Sequence, residues 1–275
     1  MDLTALAENT GLSVQDLAEA KAASGLTETT VSRMWEQFQD SPQRFLASLD
    51  AFPETLRFSS AFYLFSCFAV FRHSWFQEHH IPDTVYFDTF RDLAIWHDVL
   101  RRTKGINGLK QYRWTAKPLL GELYRLGRLE FEPDTVRNIL WIHIPEGPAL
   151  LPEAVDESLS YAAAFFPSHF GLHFQNWQCE SWMLARANRE FMRPDSNILK
   201  FAARFRLLTP DVPGPQAVER VFDWPEGEIS SYPVTTGLQR AMKRWLLDGG
   251  VPAEATGSLK EIPEFRQKTD SPCPD

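Results

Sequence analysis

The sequence predicts an α+β / α/β protein in two parts, a helical N-terminal domain over residues 1–112 and a mixed β-sheet domain flanked by helices over residues 113–275. Three observations predict it. Up to residue 104 the apolar residues recur at helical spacing. Beyond Gly108 period-two alternation and a continuous apolar run appear, as strands require. Hydrophobic residues make up 44% of 275, with 21 Phe, 9 Trp and 6 Tyr, enough apolar material for a core in each part.

The first part reads as successive helices. Leu12, Leu17 and Ala18 mark a short one, with Ser13 as its cap and Gly25 as its stop. Thr27 opens a second, with Glu28 in the first turn and Val31, Met34, Trp35 and Phe38 at helical spacing. Ser41-Pro42 opens a third, a cap residue followed by proline at the first helical position. Leu56 to Phe76 is apolar on nearly every side, so that helix is expected to be central. Pro82 opens the next; Phe90, Leu93, Ala94 and Leu100 form its stripe, and Arg101, Arg102 and Lys104 sit favourably at its C-terminal end. Gly105 to Gly108 is a break.

In the second part Trp114 to Leu126 is expected to be helical, ended by Gly127. Arg128 to Glu132 alternates as a half-buried strand, and Glu132-Pro133-Asp134 reads as a turn. Asn138 to Ile144 reads as a central strand buried on both faces, followed by a loop over 145–149 and a helix from Pro152 with Val155, Leu159, Ala163 and Phe166 on one face. Strands are expected within 171–184, at Phe201 to Leu208 and at Arg220 to Trp224. Ser196 caps a short helix; Thr235 or Thr236 caps a last one, Leu238 to Leu247, stopped by Gly249-Gly250. The polar tail after Ile262 is expected to fray.

Composition excludes several functions. The net charge of −8 is concentrated at the front. Residues 1–55 carry nine acids against three bases, which is −6. Glycine-led turns near Gly11 and Gly25 imitate a helix-turn-helix, but that charge repels nucleic acid. The apolar run Ala61–Phe71 is too short for a bilayer, which needs ~20 apolar residues, so no membrane partner is expected. Cys67, Cys179 and Cys273 are odd in number and far apart, which points to a reducing, cytoplasmic setting rather than a disulfide framework. ATP, nicotinamide and serine-hydrolase motifs are absent.

Five strings occur in order: Gly121 to Phe131 (GELYRLGRLEF), His143 to Gly147 (HIPEG), Cys179 to Trp182 (CESW), Ser196 to Phe201 (SNILKF) and Thr236 to Arg240 (TGLQR). Together they resemble a bacterial family of acyltransferase domain-containing proteins, in which a helical N-terminal domain precedes a GNAT-like C-terminal domain. The order helix, strand, strand, loop, helix, strand also fits a GNAT-like sheet. The resemblance implies transfer of an acyl group from acetyl-CoA or another acyl-CoA to a small-molecule or peptide acceptor, with no metal. It also leaves open a GNAT-like module that binds a ligand or protein without catalysis.

In such a site a strand ends in a loop whose N–H groups face phosphate oxygens, and the next helix adds the positive end of its dipole. The usual loop is Gln or Arg, two residues, Gly, one residue, then Gly or Ala; the frame here is Ile144 to Ala149. Gly147 and Ala149 fit it. Ile144 replaces the polar residue, Pro145 and Pro148 lack donors, and Glu146 adds a negative charge. Ile144, Glu146, Gly147, Ala149 and Leu150 are therefore the expected cofactor-binding residues, and acyl carried on free pantetheine or a carrier protein would suffer less from the missing donors. Transfer also needs a base and an acid. His143, at the strand end, is the first candidate base, its alternative being a packed core histidine. Glu180 is the second, its alternative an ion pair with Arg204 or Arg206. No tyrosine lies between Tyr161 and Tyr232, so the acid is Ser181, Cys179 or water. Cys179 is otherwise expected to be a buried, inert thiol. His169 and His173 are four apart but straddle Gly171, a poor metal pair.

Overall fold

The structure, a computed structural model, describes residues 1–264 and forms two compact units, Met1–Arg125 and Leu126–Asp275. The tail expected to fray, and Cys273 with it, lies outside the described residues except for Pro263 and Glu264.

The first unit holds α1 (Leu3–Thr10), α2 (Val14–Ser24), α3 (Glu28–Asp40), α4 (Pro42–Asp50), α5 (Glu54–Glu78), α6 (Asp83–Lys104) and α7 (Tyr112–Leu120). Local chemistry sets their ends. The Ser13 hydroxyl accepts from Asp16 N–H, the Thr27 hydroxyl from Thr30 N–H, and Gly25 and Gly105 end α2 and α6 in the left-handed conformation. α5 is the axis of the unit and packs against α1, α2, α3, α4, α6 and α7. Phe62, Leu64, Phe65 and Phe68 on it are fully buried. Phe68 lies 5.6 Å from Phe38 and 5.7 Å from Phe45, centroid to centroid. Burying each such ring stabilises the unit by roughly 1.5–3 kcal/mol.

The helix expected over 114–126 stops early. α7 contains Pro118 and ends at Gly121 (φ +75), and residues Tyr124–Leu126 form a strand, β1. α7 packs on α5 and α6, so it folds with the helical unit rather than with the sheet.

One polar knot is enclosed in this unit. His97 is 1% exposed, with Nε2 3.3 Å from Asp16 Oδ2 and Nδ1 3.1 Å from the Gly108 carbonyl. Arg101 also donates to Asp16, and Phe62 stacks on the imidazole at 4.1 Å. Burial alone would push the Asp16 carboxyl up, but hydrogen bonds from Ser13, His97 and Arg101 hold it below the usual carboxylate range.

The second unit holds β2 (Leu129–Asp134), β3 (Ile139–His143), α8 (Pro152–Phe170), β4 (Asn176–Ser181), α9 (Asn197–Ala202), β5 (Phe205–Leu207), β6 (Val212–Pro213), α10 (Gln216–Phe222), α11 (Gly237–Leu247) and β7 (Ala253–Leu259). Its strands run β2-β3-β4-β7-β5, and β6 also pairs with β7. β3 and β4 are parallel; the other pairs are antiparallel. α8 is the crossover that parallel strands require.

Several expectations change here. Glu132-Pro133-Asp134 is strand, with Pro133 opposite Leu140. Arg220 to Trp224 is not a strand; most of it is the end of α10. Phe201 belongs to α9, so β5 is shorter than expected. β3 is not buried on both faces: Leu140 and Ile142 are fully buried, whereas Ile139, Trp141 and His143 are half-buried.

The register divides the sheet into two faces. Phe131, Leu140, Ile142, Trp177, Cys179, Ala255 and Gly257 share one. Leu140 and Trp177 line a cavity of about 120 Å³ with Ala162, Ala163 and Phe166, so this apolar face meets α8. The other face carries Glu130, Glu132, Trp141, His143, Gln178, Glu180, Thr256 and Ser258.

Candidate active site

β3 and β4 pair at three positions only, Ile139 with Asn176, Leu140 with Trp177 and Trp141 with Gln178. Beyond these they part. β3 stays on β2 through His143, and β4 stays on β7 through Ser181. A gap therefore opens at the C-terminal ends of two parallel strands, where open α/β sheets bind ligands.

His143 and Glu180 each lie two residues past the last paired position, so they stand at the same level on the polar face. The His143 Nε2 lies 3.0 Å from Glu132 Oε2, with both side chains about a quarter exposed. A carboxylate so placed holds an imidazole in one orientation. Glu180 is exposed rather than buried, and Thr256 Oγ1 donates to its Oε2 at 3.4 Å. Of the alternative ion pairs, with Arg204 or Arg206, the one with Arg204 does not form: Arg204 donates to Asp156 and to the Pro152 carbonyl.

The structure separates Ser181 from these two. Ser181 is buried on the apolar face, and its Oγ accepts from Met183 N–H at 3.1 Å, capping a 3₁₀ turn. Cys179 shares that face, fully buried, and burial pushes its thiol well above the ordinary value, which suits an inert side chain.

The loop after His143 leads into α8. Ile144 and Pro145 are half-buried, Glu146, Gly147, Pro148 and Ala149 are exposed, and Leu150 is buried. Pro152 starts the helix. Arg128, in the turn between β1 and β2, donates Nε to the Pro148 carbonyl at 2.8 Å and Nη1 to the Pro145 carbonyl at 2.9 Å. No local sequence pattern singles out Glu132 or Arg128 as site residues. Glu132 lies on β2 and Arg128 just before it, and the β2–β3 register brings both to the end of β3. His169 lies in the last turn of α8 and His173 follows the helix, and among the described residues no group of three or more His, Cys, Asp or Glu is placed to hold a metal. No helix among the described residues is long and apolar enough to cross a membrane.

The chain matches two family models: an N-acyltransferase N-terminal domain over residues 1–121 and a GNAT-like C-terminal domain over residues 123–259. No curated protein matches it. Among solved structures, it is similar to an acyltransferase mutant in complex with octanoyl-CoA, with TM-score 0.79 and 27% identity, covering 94% of this chain and 87% of that one. An acyltransferase in complex with decanoyl-CoA is also 27% identical, with TM-score 0.69 over 74% of this chain and 66% of that one. An acyltransferase in complex with CoA and 10C-teicoplanin shares the fold at 24% identity and TM-score 0.73, over 96% of this chain and 100% of that one. The GNAT-like domain and these acyl-CoA-bound neighbours support acyl transfer from acyl-CoA, and the chain belongs to the acyltransferase family that joins an N-acyltransferase N-terminal domain to a GNAT-like C-terminal domain.

Proposed function

We propose that the protein transfers an acyl group from acyl-CoA to the amine of a small-molecule or peptide acceptor in the gap between β3 and β4. The observation that carries this reading is the parting of β3 and β4 directly before the 144–151 loop, with His143 and Glu180 level at its mouth. The strand edges facing a gap carry backbone polar groups, which the extended amide chain of pantetheine is suited to pair with. The N–H groups of Ile144, Glu146, Gly147, Ala149 and Leu150, with the positive end of α8, hold the diphosphate. The thioester then lies across the ends of β3 and β4.

The amine nitrogen attacks the thioester carbonyl carbon, the C–S bond breaks, and the His143–Glu132 pair takes the proton lost by nitrogen. Glu180 draws the cationic form of the amine to the polar face. Water protonates the departing thiolate, because Ser181 and Cys179 lie on the other face. The acyl chains that the neighbouring acyltransferases bind make medium-chain acyl groups the first donors to test. Cys67 and Cys179 are free and buried, in keeping with a cytoplasmic setting.

The test is thiol release from acetyl-, octanoyl- and decanoyl-CoA with a panel of primary amines and amine-bearing peptides, beside calorimetry with each donor and with free CoA. Micromolar donor binding, amine-dependent thiol release, and slower release in His143→Ala and Glu180→Gln are expected. Binding without transfer to any amine would favour a non-catalytic binding module. Wild-type rates in both variants would remove these residues from the mechanism.

A further inference from the structure

The loop after β3 carries two residues that have no N–H to donate, Pro145 and Pro148, in the very frame expected to face a diphosphate. We infer that these prolines serve as acceptors through which Arg128 aims the remaining donors, which makes Arg128 a positioning residue for the diphosphate of the acyl donor. The inference rests on the loop assignment in the proposed function.

Arg128 is itself firmly placed. Gly127, before it, has φ +74, and a Cβ there would meet Ser158 Oγ at 2.9 Å. The Arg128 N–H donates to Ser158 Oγ at 2.7 Å, and that hydroxyl donates to the Ala154 carbonyl in the first turn of α8 at 2.8 Å. The backbone of Arg128 is thus fastened to the helix that follows the loop. Its side chain then grips the loop at the Pro145 and Pro148 carbonyls, with two bonds of ordinary length.

The consequence follows from the peptide unit. No peptide bond among the described residues is cis. In a planar trans unit the C=O and N–H point in opposite directions. The Pro145 carbonyl shares its unit with the Glu146 N–H, and the Pro148 carbonyl shares its unit with the Ala149 N–H. With both oxygens held on Arg128, both N–H groups point away from it. Glu146 and Ala149 are exposed, so a ligand can approach there. The guanidinium also sets a permanent positive charge beside the loop, which offsets the Glu146 carboxylate and supplies the charge that Ile144 does not. A lysine ammonium, with a single nitrogen, cannot reproduce this fork.

Two donors separate this role from a general structural one. Octanoyl-CoA and octanoyl-pantetheine carry the same thioester, and only the first has the diphosphate. KM for each is measured on the full-length protein for wild type, Arg128→Ala and Arg128→Lys, with Tm recorded for all three. The wild type should prefer octanoyl-CoA. Arg128→Ala should lose about tenfold or more of that preference, through a higher KM for octanoyl-CoA, since two oriented, charge-assisted contacts are released. Arg128→Lys should fall between, and it decides the matter if the alanine variant does not fold. Folded variants that keep the wild-type preference would overturn the inference and leave the loop assignment standing. A wild type with no preference for octanoyl-CoA would overturn both.

Discussion

His97 and His143 stand in different units, and each meets a carboxylate at ordinary hydrogen-bonding range, Asp16 at 3.3 Å and Glu132 at 3.0 Å. What differs is enclosure. His97 is 1% exposed, both of its ring nitrogens face acceptors, and Phe62 covers its ring. Its contacts join α2, α5, α6 and the turn at Gly108. His143 is half-buried at the end of a strand, where its neighbour β4 has turned away. The same pair of side chains is a fastening where the chain encloses it and a candidate base where the chain leaves room for a substrate. The flanking elements decide which.

The largest expected effect would break this contrast outright. His143→Ala should lower kcat/KM about 10²–10⁴-fold, the usual worth of a general base, with Tm little changed. If Tm falls instead and the rate per folded molecule holds, His143 is a fastening too. Asp16→Ala should do the opposite. It leaves His97 buried without its carboxylate and should cost about 3 kcal/mol of stability by urea unfolding, with acyl transfer per folded molecule retained.

Acid sharpens the same contrast. The Asp16 carboxyl is held below its ordinary value of 3.8, so it contributes stability above that pH, and the contribution is lost as pH falls through the lower folded value. The acid limb of an unfolding titration should therefore be shallower in Asp16→Asn than in wild type; equal limbs would contradict the linkage. The smallest effect concerns the hairpin that carries Arg128. Gly127→Ala forces a left-handed backbone and a close contact with Ser158, at a cost of about 1–2 kcal/mol, and should raise the KM for acyl-CoA more than the KM for the acceptor.

Much of the fold could be read from local chemistry. Ser13, Thr27, Ser196 and Thr236 cap helices as their types suggest, and Thr236 completes a capping box with Gln239. The apolar stripe of α8 and the all-round apolar α5 were equally plain. The failures have physical causes. Gly121, in the left-handed conformation, ends α7 before an apolar stretch that continues helically in sequence but extends as β1. β7 has no apolar signature in the sequence, because Ala253, Ala255, Thr256 and Gly257 are small residues and its alternation appears only in the burial of every second position. Val221-Phe222 looked like strand yet closes a helix whose stop is Asp223 in the left-handed region. The site divides in the same way. His143, Glu180 and the loop follow from their order along the chain. Glu132 and Arg128 reach the site only through hairpin register, which no local pattern sets.

The central claim, that acyl-CoA lies in the gap between β3 and β4 with its diphosphate on the 144–151 loop, is tested most directly by a crystal structure of the full-length protein with a non-hydrolysable octanoyl-CoA analogue. The account predicts diphosphate oxygens about 3 Å from the Ala149 nitrogen and the carbonyl carbon between the ends of β3 and β4, within reach of an amine that His143 can deprotonate. An analogue bound elsewhere, with the gap closed over His143 and Glu180, would contradict it.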